Sequence, residues 1–326
     1  MFTQLSGYNA RKDVTQDAIL HIKRPDFEWA FLGPKYWLTW LGIGILYLIS
    51  WLPWRWQLAL GGQLGLLLGK LAKSRTNVAK RNLELAFPDM PDTERARILR
   101  ENLKNTGIAL LEGGMGWWWP DWRVRGIGRV EGYEHIQAIL DKGKGVFGIA
   151  IHNLNLEMNC RVIGTVHPSV VFYRRHNNPL MEWIQYRGRS RANKLMIHKK
   201  GVREMLNCLN DGDLCLYLPD QDYGARRSEF VPFFAVPDAA TTTGTLIFAR
   251  EANCESVFVL PLRTDDGYVI KILPGLEGFP SMDDKLDVTR INQKVEELVM
   301  QAPEQYLWMH KRYKTRPDSS LPSYYG

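Results

Sequence analysis

Apolar positions in this chain follow two different regimes. From Tyr36 to Trp54 nineteen consecutive residues carry no formal charge, between Lys35 and Arg55, close to the roughly 20 apolar residues a helix needs to cross a bilayer. Tyr36, Trp37, Trp40, Trp51 and Trp54 gather toward its two ends, as interfacial aromatics do. The run therefore predicts a transmembrane helix over 36–54, and not a cleavable signal, because some 35 residues precede it and no small-residue cleavage site follows. The next apolar stretch, Trp56 to Gly69, is too short to span. Its Gly61, Gly65 and Gly69 form a small-residue stripe that lets a backbone approach another helix or the membrane face. Pro91-Asp92-Thr93 followed by Ala96, Leu99, Leu103 and Leu110 predicts a capped amphipathic helix that ends near Gly113-Gly114. The Trp117–Trp119 run beyond it suits either a core or a headgroup contact.

From Arg129 onward the second regime begins, in which short apolar runs alternate with helical periodicity. Val146–Ile151, Ser169–Tyr173, Leu195–Ile197, Leu214–Leu218, Val257–Leu262 and Tyr268–Leu273 read as buried strands. Helices are expected at 155–164, 179–192, 200–210 and 240–252, with a last one at about 287–301. This alternation predicts an α/β fold, a mainly parallel or mixed sheet flanked by helices, carried behind an N-terminal transmembrane helix. The expected organisation is an extension over 1–35, an anchor over 36–54, a membrane-associated helical region over 55–128, an α/β core over 129–317 and a loose tail over 318–326.

Charge narrows the partners. The net charge of +7 is local: Arg174, Arg175, Arg187, Arg189, Arg191, Lys194, Lys199, Lys200 and Arg203 share their stretch with Glu182 alone. Beside a membrane anchor, such a patch points to anionic headgroups, phosphorylated lipid or an acidic carrier protein, and away from nucleic acid. Lys70, Lys73, Arg75, Lys80 and Arg81 follow the anchor and favour a cytoplasmic position for the downstream chain. The four cysteines contain no Cys-x-x-Cys and read as reduced core residues. Gly143-Lys144-Gly145-Val146-Phe147-Gly148 matches a dinucleotide fingerprint in letters only, since these glycines lead into a strand and do not follow one. There is no P-loop, no G-x-S-x-G elbow and no H-E-x-x-H, and no cofactor or metal is expected.

The chemistry is concentrated where the first strand of the core region ends. His152-Asn153-Leu154-Asn155-Leu156-Glu157 comes directly off Val146–Ile151, the position where α/β proteins keep their reactive groups. Residues five apart in a continuous helix point about 140° away from each other, so His152 is expected in the turn and Glu157 in the first turn of the next helix. There an Asn can cap the free N–H groups, and the ring can donate one N–H to Glu157 and keep the other nitrogen as a base. Two further polar clusters, Tyr173–Pro179 and Pro219–Gly224, also sit at expected strand ends.

At these residues the chain resembles the late acyltransferases of lipid A biosynthesis, which use a His-x4-Asp/Glu motif. The resemblance runs from about Phe31 to Pro317. It includes Pro34–Trp40, Arg81–Leu85, Phe87-Pro88, His152 with Glu157, Pro219–Gly224, Ala240–Thr245 and Pro303–Trp308. Glu157 in place of Asp, and the Tyr306–Pro317 tail, look like the lauroyl or palmitoleoyl branch. One departure is Asn153, where relatives usually carry a bulky apolar residue. The resemblance implies transfer of a fatty acyl chain from acyl carrier protein to a 3-hydroxyacyl hydroxyl of a Kdo-bearing, tetra-acylated lipid A precursor, with no acyl-enzyme and no cofactor. It also implies a bacterial inner-membrane protein, single-pass, with the catalytic domain facing the cytoplasm. His152 and Glu157 are the expected catalytic pair; Arg189, Asp220, Arg174 and Asp222 are expected to bind substrate or support the site, with Asp220 holding an arginine in place. The competing readings are a lysophospholipid or glycerolipid acyltransferase and a membrane-anchored lipid-binding scaffold.

Overall fold

The computed structural model describes residues 22–325; residues 1–21 of the expected extension, and Gly326, lie outside them. The chain opens with helices α1 (Trp37–Ser50), α2 (Trp54–Leu71), α3 (Lys73–Ala86), α4 (Asp92–Trp118) and the short α5 (Asp121–Arg125). The core region then alternates: β1 (Gly128–Glu131), α6 (Tyr133–Leu140), β2 (Gly145–Ala150), α7 (Leu156–Gly164), β3 (Ser169–Tyr173), α8 (Pro179–Arg189), β4 (Asn193–His198), α9 (Val202–Asn210) and β5 (Leu214–Tyr217). A hairpin of β6 (Ser228–Phe233) and β7 (Val236–Thr242) leads to α10 (Gly244–Glu251), β8 (Cys254–Thr264), β9 (Gly267–Pro274) and α11 (Asp284–Val299).

Seven strands form one sheet in the order β1-β9-β8-β2-β5-β3-β4, parallel throughout except for the antiparallel β8–β9 pair. Each central strand splits its side chains between two layers, as a period of two requires. Phe147, Ile149 and Ile151 enter a core shared with α3, α9, α10 and α11. Val146 and Ala150 enter another, shared with α6 and α7. Both faces are thus covered, which is why the predicted strands read as largely apolar runs. The expected turn before β2 is present, with Gly143 in the left-handed region at φ 68°.

Several expectations need correction. The uncharged run 36–54 does not form one helix. Pro53, which lacks an N–H, interrupts it, and the corner is fastened from α2 and α5: Gln57 Nε2 donates to the carbonyls of Ser50 (3.0 Å) and Leu52 (2.9 Å), and Arg123 donates to that of Leu52 (2.9 Å). Fourteen residues of α1 reach about 21 Å, short of the roughly 30 Å hydrocarbon layer. Among the described residues no helix is long and apolar enough to cross a membrane. The helix expected to stop near Gly113-Gly114 continues as α4 to Trp118, and Trp117 and Trp119 are buried, so the core reading of that run is the correct one. The helix expected over 240–252 begins only at Gly244, because the preceding threonines complete β7. Strands β1, β6 and β7 had no counterpart in the predicted set. The tail is not loose either: Arg81 donates to the carbonyl of Tyr324 (2.8 Å), Tyr324 donates to Asp238 (3.1 Å) and Arg316 lies 3.8 Å over the Tyr324 ring.

The glycine stripe of α2 meets a helix, α4. A Cβ on Gly65 would stand 2.0 Å from the carbonyl oxygen of Leu103, and one on Gly107 would stand 2.1 Å from that of Gly61. The backbones are in direct contact, and only glycine permits it. Gly65→Ala is therefore expected to push α2 off α4 and lower stability by about 1–3 kcal/mol, whereas Ala at Gly42, which has open space around it, should not; thermal unfolding of the two purified variants checks this.

Candidate functional site

The strand register builds the site. β2 and β5 are parallel neighbours with Ile149 opposite Tyr217, so three residues further along each strand the chain brings His152 beside Asp220. β3 and β4 lie on the β5 side of β2, whereas the strand that follows β5 in the sheet, β8, lies on the other side. The strand order thus reverses around the carboxyl end of β2, the place where open α/β sheets leave a crevice.

Asp220 receives two hydrogen bonds from His152: Nδ1–H to Oδ1 at 2.6 Å, and the backbone N–H to Oδ2 at 2.8 Å. The Asp220 side chain is wholly buried, while that of His152 keeps 20% of its surface. Burial opposes ionisation of Asp220, but the charge and the two N–H groups of His152 outweigh it and hold the carboxyl below its ordinary value. With Nδ1 engaged, the remaining ring nitrogen, Nε2, has no hydrogen-bond partner among the described residues and is the atom available as a base.

Glu157 is not the partner of His152, as the sequence spacing suggested. It stands at the start of α7 and takes a charge-assisted pair from Arg189 at the end of α8, Nε to Oε1 at 2.9 Å, reinforced by a contact from Nη2. Trp117 Nε1 donates to its other oxygen at 3.0 Å. The Arg189 guanidinium also lies 5.4 Å from the centre of the Tyr173 ring. Burial disfavours the charge on Arg189, yet Glu157 more than restores it. Asp220 therefore pairs with a histidine and not an arginine, and the expected pairs are exchanged. Asn155 occupies the N-cap position of α7 without capping it: its Oδ1 accepts from Asn159 Nδ2 at 2.7 Å.

A C-terminal strap closes the loop that carries His152. The Leu307 N–H donates to the His152 carbonyl (2.9 Å), and the Leu154 N–H to that of Gln305 (2.8 Å). The Gln305 side chain clasps the β8 backbone at Arg263, accepting from its N–H and donating to its carbonyl, both at 2.8 Å. Asn153 is buried in this loop and donates to the carbonyl of Pro261 (2.6 Å), so here an amide fastens the loop to β8. Tyr306 donates to the Asp220 carbonyl at 3.3 Å. Asp222 is engaged with the strap: its carboxylate accepts from the N–H of Thr315 (2.7 Å), from that residue's hydroxyl (2.8 Å) and from the Gly224 N–H (2.8 Å). His310 accepts from the Asp222 N–H at 3.3 Å, and burial together with the nearby His152 charge keeps its pKa below the ordinary histidine value. Sequence reasoning assigned no role to Gln305, Tyr306 or His310, although Pro303–Trp308 had stood out as a motif.

His152 and Glu157 both border a cavity of about 390 Å³ between α7 and the sheet, within the range of small-molecule sites. Ile163, Val171, Leu216, Val259 and Ile270 make its apolar part. Arg174 and Lys199 line it while exposed to solvent. Lys199 had seemed only one more charge of the basic stretch; the fold brings it to the site. Cys160 also lines the cavity, but burial, with the Glu157 charge adding to it, pushes its thiol up to about 12, so it is no nucleophile at neutral pH. Among the described residues no group of three or more His, Cys, Asp or Glu is placed to hold a metal ion. A fixed imidazole over a partly apolar cavity, with cations at its rim, suits proton transfer on a substrate that is greasy at one end and anionic at the other.

Residues 24–315 match the family of bacterial lipid A biosynthesis acyltransferases. The chain is 43% identical to a lipid A biosynthesis lauroyltransferase of Escherichia coli over 92% of its own length and 99% of the relative. It is 42% identical to the palmitoleoyltransferase of the same organism, over 90% and 97%, and 26% identical to the myristoyltransferase, over 92% and 94%. The chain belongs to the bacterial lipid A biosynthesis acyltransferase family and is an acyltransferase.

Proposed function

We propose that this enzyme transfers a fatty acyl chain from the thioester of acyl carrier protein to a 3-hydroxyacyl hydroxyl of a Kdo-bearing, tetra-acylated lipid A precursor, at the cytoplasmic face of the bacterial inner membrane. The observation that carries the reading is the His152–Asp220 pair at the edge of a cavity with an apolar interior. Nε2 of His152 takes the proton of the lipid hydroxyl as its oxygen attacks the thioester carbonyl carbon. Asp220 holds the tautomer and stabilises the imidazolium. The first N–H groups of α7, which no side chain caps, and the positive end of its dipole offer donors for the oxyanion. When the C–S bond breaks, the thiolate takes the proton back from His152, leaving an ester and the free thiol of the carrier. No acyl-enzyme is needed.

The other residues divide between the two ends of the substrate. The apolar part of the cavity suits an acyl chain. Arg174 and Lys199 at the rim suit phosphate or carboxylate groups of an anionic lipid. The Glu157–Arg189 pair ties the start of α7 to the end of α8 and so holds the cavity wall beside the base.

His152→Ala is expected to fold and to lose roughly 10²–10⁴-fold in transfer, and Asp220→Asn should fall in the same range because the tautomer is no longer fixed. The double variant should be little worse than either, since the two act as one unit; transfer of a labelled acyl group from carrier protein to the tetra-acyl precursor measures all three. Near-normal turnover by His152→Ala would end the general-base mechanism.

The depressed pKa of Asp220 makes a separate prediction. Its carboxylate contributes stability that is present above the unfolded value of about 3.9 and is lost as the pH falls through the lower folded value. Asp220→Asn should thus be less stable than the wild type at pH 7, with the gap in unfolding temperature closing below about pH 4.

A further inference from the structure

The apolar run 36–54 lies between two segments that are both fastened to the catalytic domain. Before it, the Ile22 N–H donates to the Met196 carbonyl on β4 (3.2 Å), the Tyr186 hydroxyl donates to the Ile22 carbonyl (2.8 Å), and the Ile22 side chain is buried with Tyr173 and Met196. At its end Trp54 Nε1 donates to the Tyr268 hydroxyl (3.3 Å), and after it α2 lies in backbone contact with α4. A helix that crossed a bilayer would put these two segments on opposite sides of it. Here they sit on the same body.

Helix α1 nevertheless turns an apolar face to the outside. Trp37, Leu38, Leu41, Ile45 and Leu48 are exposed, Leu38 by 80%, and their spacing places them along one stripe. The other side of the helix, with Ile43, joins Phe31, Tyr36, Trp117, Leu180 and Ile184 in a core. Past the corner, where Trp51 is exposed, Trp56, Leu60, Leu67 and Leu71 continue the pattern on α2. Patches of this kind mark a contact surface. Charge identifies the contact: from Trp29 to Leu83 the chain has seven Lys or Arg and no Asp or Glu, and Lys35, Arg55, Lys70, Lys73 and Arg75 are all exposed. An apolar stripe bordered by cations alone suits the headgroup and acyl boundary of an anionic membrane.

We propose that α1 and the outer face of α2 insert in the plane of one leaflet of an anionic phospholipid bilayer, entering and leaving on the same side. This deepens the reading that the enzyme works at a membrane, and rests on it. The placement has a consequence for substrate access. Thr39 of α1 is hydrogen-bonded to Asn178 (3.4 Å), which caps α8 and ends the 174–178 loop that carries Arg174 at the cavity rim. A leaflet that holds α1 therefore lies beside the cavity mouth, so that a lipid hydroxyl reaches His152 sideways without leaving the membrane.

The test uses the full chain. Binding to vesicles of phosphatidylethanolamine and phosphatidylglycerol should be measured for the wild type and for the triple variant Leu38→Glu, Leu41→Glu, Leu48→Glu, which should bind roughly tenfold or more weakly. Lys23→Cys and Lys73→Cys, on either side of the run, should both react with a membrane-impermeant maleimide added to sealed membranes of one orientation, and neither when the other orientation is used, with the wild-type chain as background. If the wild type ignores the vesicles, or the triple variant binds them unchanged, the lipid surface is wrong and the membrane reading fails with it or loses its site. If the vesicles bind but the two cysteines label from opposite sides, the chain crosses the bilayer and the one-leaflet proposal is overturned, while the membrane reading stands.

Discussion

The parallel pairing of β2 with β5 is the constraint on which the rest of the site depends. It is a backbone property, fixed by the evenly spaced hydrogen bonds of two strands buried on both faces. A slip of one residue would turn every side chain of β2 to the wrong layer and would separate His152 from Asp220. The core thus enforces the geometry of this pair with the whole of its apolar burial, a far larger free energy than a single hydrogen bond supplies. That is why a carboxylate with no solvent-exposed surface is tolerable there: its cost is met by the two N–H groups the register delivers to it.

The two side-chain pairs around the cavity have different parts. His152–Asp220 joins the ends of two neighbouring strands and leaves one ring nitrogen free. Glu157–Arg189 joins two helices and leaves nothing free, with Trp117 taking up a further carboxylate bond. A His-x4-Glu spacing therefore serves two connected purposes in this fold: it sets the imidazole against Asp220, where the proposed mechanism uses it, and it gives the glutamate to the helix that begins beside it. Arc length along the chain is a poor guide to which of these a residue performs.

How much of this was legible in the sequence follows from the range of each interaction. The five inner strands were readable because burial on both faces produces apolar runs, and the edge strand β4 was readable from its Leu195–Ile197 segment. β1, with Arg129 and Glu131 on an edge strand of alternating exposure, produces no such run, and the Pro- and Thr-containing β6 and β7 hide theirs. His152 and Glu157 stood out from their place after an apolar run, and Arg189 and Asp220 from the family resemblance. Their pairing did not, because it depends on which strand lies next to which, and local spacing favoured the nearest carboxylate. The strap was invisible for the same reason: Gln305 and Leu307 act on residues about 150 positions earlier. The supposed spanning helix failed on one residue, Pro53, which an apolar count passes over.

The strap has a temporal meaning as well as a geometric one. Its hydrogen bonds to residues 152–154 come from a segment downstream of every strand in the sheet. During synthesis the reactive loop therefore receives its last restraints only after the complete sheet has left the ribosome, while α1 and α2 emerge early. In the proposed mechanism the base at His152 is therefore ordered late, after the exposed apolar faces of α1 and α2 have emerged.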